Sequence, residues 1–246
     1  MDTVPEHRVL VVVPAWNEAA SLPSVLREVA AAVPGAGVLV VNDGSSDATS
    51  AVARAHGAEV LDLPFNLGVG GAMRAGFRYA LAYGYGVVVQ VDADGQHDPR
   101  DVPRLVAALD EADIVIGARF AERSGYDVRG PRRWAMRVLA TSLSRLAHGS
   151  LTDTTSGFRA SGPLAIRLFA VHYPAEYLGD TVESLVIAAR SGLRITQIGV
   201  TMRQRTAGRP SQRPWKAAAY LLRACLALLI SLTRRRLTVP TIGAAS

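Results

Sequence analysis

Short, continuous apolar stretches, each closed by a polar or glycine-bearing turn and followed by a helix-like segment, most constrain what this chain can fold into. Residues 8–13, 38–41, 87–91 and 114–117 are such stretches, and the first three end at Pro14, Asn42-Asp43-Gly44 and Asp92-Ala93-Asp94. Strands that are apolar on successive residues, not alternate ones, are buried on both faces, as in parallel sheets. The intervening segments read as helices. Ser21-Leu22-Pro23 opens one that runs to about Val33 before Pro34-Gly35, and Ser46-Asp47 opens another to about His56, ahead of a short strand at 58–61. A glycine-rich turn at 66–71 leads into a helix ending near Tyr83, and 100–109 is helical. Strand and helix in alternation require a mostly parallel α/β sheet with helices on both faces. Ligands of such sheets bind beyond the carboxyl ends of the strands, where segments 14–18, 42–46, 66–71 and 92–96 all fall.

Beyond residue 120 the pattern changes. Residues 131–148 read as a basic amphipathic helix, 152–159 as a polar turn entering a short strand, 180–191 as a helix and 193–202 as a strand. The charge divides along the same line: residues 1–116 carry 7 basic and 15 acidic side chains, residues 117–246 carry 20 and 6. Lys216 is the only lysine, so the basic half is an arginine surface suited to phosphates or an anionic membrane. The single cysteine, Cys225, excludes an internal disulfide and a cysteine-rich zinc site. The N-terminus has no basic segment running into an apolar one, and no signal peptide is expected. A chain of 246 residues holds one large domain, here 1–212, with 213–246 as an appendage.

The acidic motif carries the chemistry. Asp92, Asp94 and Gln96 crowd two carboxylates and a carboxamide at a buried strand end, where the acids repel each other unless a cation is present. Oxygen ligands of this kind suit Mg²⁺ or Mn²⁺ and leave positions open for a diphosphate. Asp98-Pro99 has the form of a helix N-cap followed by a first-turn proline. His97 is either a further ligand or a side chain packed under the site. Asp43, just past a strand, can accept from a nucleobase N–H, while Ser46 and Asp47 read as capping residues. Gly68, Gly70 and Gly71 let backbone approach an anionic ligand at a helix start. Met73 stands where a dinucleotide fingerprint needs its third glycine, which argues against a nicotinamide enzyme.

In order along the chain stand Val13-Pro14-Ala15-Trp16-Asn17-Glu18, Val41-Asn42-Asp43-Gly44-Ser45-Ser46-Asp47, Asn66-Leu67-Gly68-Val69-Gly70-Gly71-Ala72, Asp92-Ala93-Asp94-Gly95-Gln96-His97, Gly117-Ala118-Arg119-Phe120 and Asp153-Thr154-Thr155-Ser156-Gly157-Phe158-Arg159. The set resembles the family 2 glycosyltransferases of GT-A fold, and most closely their dolichyl- or polyprenyl-phosphate mannose and glucose synthases. The resemblance implies a Rossmann-like sheet and a nucleoside diphosphate sugar donor, UDP- or GDP-linked. It implies that Pro14, Ala15 and Glu18 line base and ribose, that Gly70 lies by the donor, that Asp92 with Ala93 faces the nucleoside, and that Asp94 and Gln96 hold the metal. Arg119 matches the family's phosphate-facing arginine, and Arg132 or Arg133 a second. Arg205-Thr206-Ala207-Gly208 resembles a loop that closes over the donor, although Ser211 falls one residue late after Arg209-Pro210.

The acceptor decides the mechanism. A hydroxyl acceptor needs a general base, and Asp180 and Glu183 are the candidates; Asp180-Thr181-Val182-Glu183 also has capping-box spacing. A phosphomonoester, with a second pKa of about 6, is already anionic and needs only positioning. The arginine excess favours a phosphate acceptor, which the resemblance makes polyprenyl phosphate. Residues 215–233 are apolar on nearly every face, but Arg223 at mid-bilayer would cost about 2.5 to 3.5 kcal/mol. An interfacial helix lets it snorkel, placing the enzyme on the cytoplasmic face of a membrane; a buried or dimer-interface helix is the alternative. The expectation is therefore a metal-dependent inverting hexosyltransferase, with a possible homo-oligomeric state left open. Its rivals are a relative with a saccharide or other hydroxyl acceptor, and a non-catalytic phosphate- or nucleic-acid-binding module. Nucleic acid is not expected, since the arginines lack an aromatic stacking platform.

Overall fold

A computed structural model of the chain describes residues 8–118, 144, 151–174 and 180–203. Seven strands form one sheet: β1 (Val9–Ala15), β2 (Gly37–Asn42), β3 (Glu59–Asp62), β4 (Val87–Gln90), β5 (Ile114–Ala118), β6 (Arg159–Ser161) and β7 (Ile195–Gly199). Their order is β3-β2-β1-β4-β6-β5-β7, with β6 antiparallel to both of its neighbours and every other pairing parallel. Six helices accompany them among the described residues: α1 (Leu22–Ala32), α2 (Thr49–Ala55), α3 (Gly68–Ala82), α4 (Val102–Ala107), α5 (Pro163–His172) and α6 (Asp180–Arg190). This is the mostly parallel GT-A-like α/β fold.

Strand alternation divides the interior into two cores, one per face. Leu10, Val12, Leu39, Val41, Val88 and Ile116 point toward α3, α5 and α6, where Met73, Phe77, Phe169 and Leu185 meet them. Val11, Val13, Val40, Val87, Val89 and Val115 point the other way, onto α1 and α4 through Val25, Leu26, Val29 and Leu105. Burial on both faces is why these strands read as unbroken apolar runs.

The chain runs from β1 outward to β2 and β3, then returns through α3 to place β4 on the other side of β1. The direction reverses between β1 and β4. The loops after these two strands diverge and leave a crevice at their carboxyl ends.

Three local details differ from expectation. The glycines at 68–71 form the first turn of α3, not a turn ahead of it. Helix 2 begins at Thr49, with Asp47 accepting the Thr49 N–H at 3.0 Å. Helix α5 has no counterpart among the sequence expectations, although Gly162-Pro163 and the apolar positions 165, 166, 168 and 169 mark it. No helix among the described residues is long and apolar enough to cross a membrane. The basic helix expected at 131–148 lies outside them save Ser144, whose Oγ accepts the Leu151 N–H at 2.9 Å. The segment 215–233 also lies outside them.

Candidate active site

The loops beyond β1 and β2 are stapled to each other. Asn17 adopts φ of 55°, a left-handed conformation that asparagine tolerates. Its Oδ1 accepts the Ser46 N–H at 2.9 Å while its own N–H donates to Ser45 Oγ at 2.9 Å. The Glu18 N–H donates to Thr49 Oγ1 at 3.0 Å, and the Glu18 carboxylate accepts from Ser21 Oγ at 2.7 Å. Pro14 and Ala15 are buried at the end of β1, and Trp16 projects from it half-exposed. This staple was not anticipated from the residue pattern; the polar residues at 17 and 45–47 were its only sign.

Asp43 carries out a structural task. Its Oδ1 accepts the Leu67 N–H at 2.7 Å and its Oδ2 the Gly68 N–H at 2.8 Å, so the anion at the N-terminus of α3 is the protein's own carboxylate. Burial pushes the Asp43 carboxyl above its ordinary value, against these two bonds, which favour the charged form. Gly44, at φ of 68°, lets the turn press on the backbone of Phe65 and Asn66, where a Cβ would sit 2.7 Å from the Phe65 carbonyl carbon. Gly70 is buried in the same helical turn. Asp43→Ala should leave the Leu67 N–H without its acceptor and the Gly68 N–H with only Asn66 Oδ1, 3.1 Å away, and cost about 2 kcal/mol. Urea denaturation checks this; a midpoint unchanged from the parent would show that the anchor is dispensable.

The acidic motif leaves β4 between two supports. On one side the Asp92 N–H donates to His97 Nδ1 at 3.0 Å, which puts the proton of a neutral imidazole on Nε2, 3.5 Å from Asp92 Oδ2. The ring is buried and stacks on Phe158 with centroids 4.7 Å apart and planes 11° from parallel. His97 thus packs under the site, its Nδ1 occupied by backbone. On the other side Gly157 lies so close that a Cβ there would come within 2.8 Å of Gln90 Nε2. Gln90 Nε2 in turn donates to Asp92 Oδ1 at 2.9 Å.

Asp94 is buried, and its Oδ1 accepts the Gln96 N–H at 3.0 Å; Ala93 is buried beside it. Asp92, by contrast, keeps 37% of its side chain exposed at the crevice. The donor set is oxygen only, two carboxylates and a carboxamide. No group of three or more His, Cys, Asp or Glu converges among the described residues. Such a set fits an ion that is held by one or two carboxylates and completed by substrate phosphates, as Mg²⁺ and Mn²⁺ are.

The motif is also held from outside the crevice. Asp98 caps the following turn through the Arg100 N–H and pairs with the Arg100 guanidinium at 2.6 Å and with Arg203 at 2.8 Å. Arg100, then Arg203, hold the Asp98 carboxyl well below the usual carboxylate range.

Buried Arg159 joins the two halves of the site. It donates to the carbonyls of Ser156 (2.8 Å), Thr154 (3.1 Å) and Thr181 (2.9 Å) and to Ser184 Oγ (3.1 Å). The loop beside Asp92 is thereby tied to the start of α6, which begins at Asp180 and carries half-buried Glu183 one turn on. Arg119, Arg132, Arg133 and Arg205 lie outside the described residues.

A family model described as glycosyl transferase family 2 matches residues 10–168, well over half the chain. The chain belongs to this family. Among its relatives, an undecaprenyl-phosphate mannosyltransferase of Micrococcus luteus is 39% identical over 209 residues, covering 82% of this chain and 86% of that protein. A polyprenol monophosphomannose synthase of Mycolicibacterium smegmatis is 39% identical over 169 residues, covering 63% of this chain and 62% of that one. Glucosyl-3-phosphoglycerate synthase of Mycobacterium tuberculosis, crystallised with Mn²⁺, UDP and glucosyl-3-phosphoglycerate, superposes with a TM-score of 0.67 at 26% identity, over 92% of this chain and 80% of that one. The same protein with Mg²⁺ and UDP gives 0.69 at 26% identity, over 92% and 79%. This family 2 glycosyltransferase is a hexosyltransferase enzyme with polyprenyl-phosphate mannose synthases among its relatives.

Proposed function

We propose that this glycosyltransferase moves a hexose from a UDP- or GDP-sugar to a polyprenyl phosphate, with inversion at the anomeric carbon, on the cytoplasmic face of a membrane. The observation that carries the donor half is the oxygen-only set of Asp92, Asp94 and Gln96 at the β1/β4 crevice. The acceptor half rests on the two polyprenyl-phosphate relatives and on the arginine-rich second half of the chain.

In this reading Pro14, Ala15 and Glu18 border the nucleoside, and Asp92, Asp94 and Gln96 hold Mg²⁺ or Mn²⁺. When bound, the ion offsets charge developing on the departing nucleoside diphosphate. An anionic oxygen of the acceptor phosphate attacks the anomeric carbon; the bond to the donor's β-phosphate oxygen breaks, and its electron pair leaves with the diphosphate. The acceptor is already ionised at neutral pH, so no side chain has to remove a proton. Arg119 and Arg205 are assigned to phosphate, and segment 215–233 to the membrane interface.

A second reading keeps the donor side and replaces the acceptor with a hydroxyl compound, Asp180 or Glu183 serving as base. The Arg159 tie, which seats α6 on the loop next to Asp92, favours it, as does likeness to an enzyme crystallised with glucosyl-3-phosphoglycerate.

Radiolabelled GDP-mannose and UDP-glucose, supplied with undecaprenyl phosphate in anionic vesicles, test both readings. The expected product is chloroform-soluble and acid-labile, is lost in EDTA and is restored by Mg²⁺ or Mn²⁺. A water-soluble product would transfer the conclusion to the hydroxyl acceptor. Full activity in chelator would remove the metal.

A further inference from the structure

The chain leaving β7 crosses the acidic motif before it reaches Arg205. Met202 forms an antiparallel bridge with His97, and the Arg203 N–H donates to the Gln96 carbonyl at 2.9 Å. The Gln96 peptide is therefore held at both ends, its own N–H by Asp94 Oδ1 and its C=O by Arg203. The Arg203 side chain then spans two acids from distant parts of the chain, Glu28 on α1 and buried Asp98. One turn further along, the Thr201 N–H donates to Asp101 Oδ2 at 3.2 Å. Arg100 also pairs with Asp98, but from two residues away and with an exposed side chain, so that pair is local to the motif.

We infer that Arg203 is a positioning residue for metal–nucleotide binding: its guanidinium pins Asp98 to α1 while its backbone fixes the Gln96 peptide, and together these hold Asp94 and Gln96 in one arrangement. The inference rests on the metal reading given above. A planar guanidinium with several donors can satisfy Glu28 and Asp98 at once, whereas an ammonium offers a point charge to one or the other. Residues that orient ligands from behind commonly affect metal affinity by about 10- to 100-fold.

The test measures Mn²⁺ binding by the electron paramagnetic resonance of free Mn²⁺, with UDP or GDP present, alongside donor KM, kcat and melting temperature. Arg203→Met should weaken Mn²⁺ binding by about tenfold and raise donor KM in proportion, with kcat at saturation within about threefold of the parent. Arg203→Lys should recover the melting temperature but only part of the Mn²⁺ affinity. Glu28→Gln, which removes the outer acid alone, should give a smaller loss and serves if the methionine variant does not fold. Lower melting with Mn²⁺ affinity unchanged in the folded variants would leave Arg203 a stabilising ion pair and overturn the inference. Asp94→Ala is the control: if it binds Mn²⁺–nucleotide like the parent, the metal reading itself fails. If Asp94→Ala loses binding and the Arg203 variants keep it, only the present inference fails.

Discussion

Asp94→Ala is expected to cut turnover roughly a thousandfold at saturating Mg²⁺ or Mn²⁺, the scale of losing one preorganised charge-stabilising group. In the proposed reading Asp94 is one of two carboxylates in an oxygen set that would share a doubly charged ion with a diphosphate. Its loss leaves Asp92, already engaged with Gln90 and facing His97, and the neutral Gln96. The same substitution removes the acceptor of the Gln96 N–H, so the neighbouring ligand also loses its support. Asp94→Asn separates the two effects, since an amide oxygen still accepts that N–H but carries no charge. The measurement is steady-state transfer, with melting temperature as the check on folding. Turnover within about tenfold of the parent, in a folded alanine variant, would take Asp94 out of the metal set.

Arg159→Met should destabilise the protein by about 3 kcal/mol or more. A buried guanidinium that serves three carbonyls and a hydroxyl cannot be removed quietly: methionine fills part of the volume and leaves the carbonyls of Ser156, Thr154 and Thr181 short of a donor. Two elements loosen together, the 153–158 loop against Asp92 and the first turn of α6, so transfer should fall even below the melting temperature. Urea denaturation followed by circular dichroism gives the stability, and transfer assayed at low temperature gives the second effect. A loss under about 1 kcal/mol would mean that water takes over the role of the guanidinium.

The sequence made some of this legible and hid the rest for a physical reason. Strands β1, β2, β4 and β5 were readable because burial on both faces demands consecutive apolar residues, and the crevice followed from where their turns fall. The oxygen set proposed at 92–96 is visible in the sequence because its members are neighbours in the chain. The anchoring bonds of Asp43 were hidden, since nothing local says that the chain returns at 67–68 to use both of its oxygens. Nothing local in the sequence marks Arg203, because its partner Glu28 lies on the first helix, 175 residues away. The place of β6 was equally hidden: three residues carry no periodicity, and their antiparallel direction is set by the sheet they enter. His97 was undecided until the stack on Phe158 showed its ring packed beneath the motif.

The insertion of β6 has a consequence for how the molecule is made. Strands β3, β2, β1 and β4 form one ribbon and β5 and β7 another, and among the described residues Arg159–Ser161 is the strand that pairs with both, beside the isolated His97–Met202 bridge. During synthesis, β4 emerges with one edge unpaired, and β5 follows with both edges open until β6 and then β7 arrive. Until then these Val- and Ile-rich edges present free N–H and C=O groups, the template on which chains aggregate. Three residues therefore join the two ribbons, and β5 keeps an open edge until β7, which ends at Gly199, has also left the ribosome.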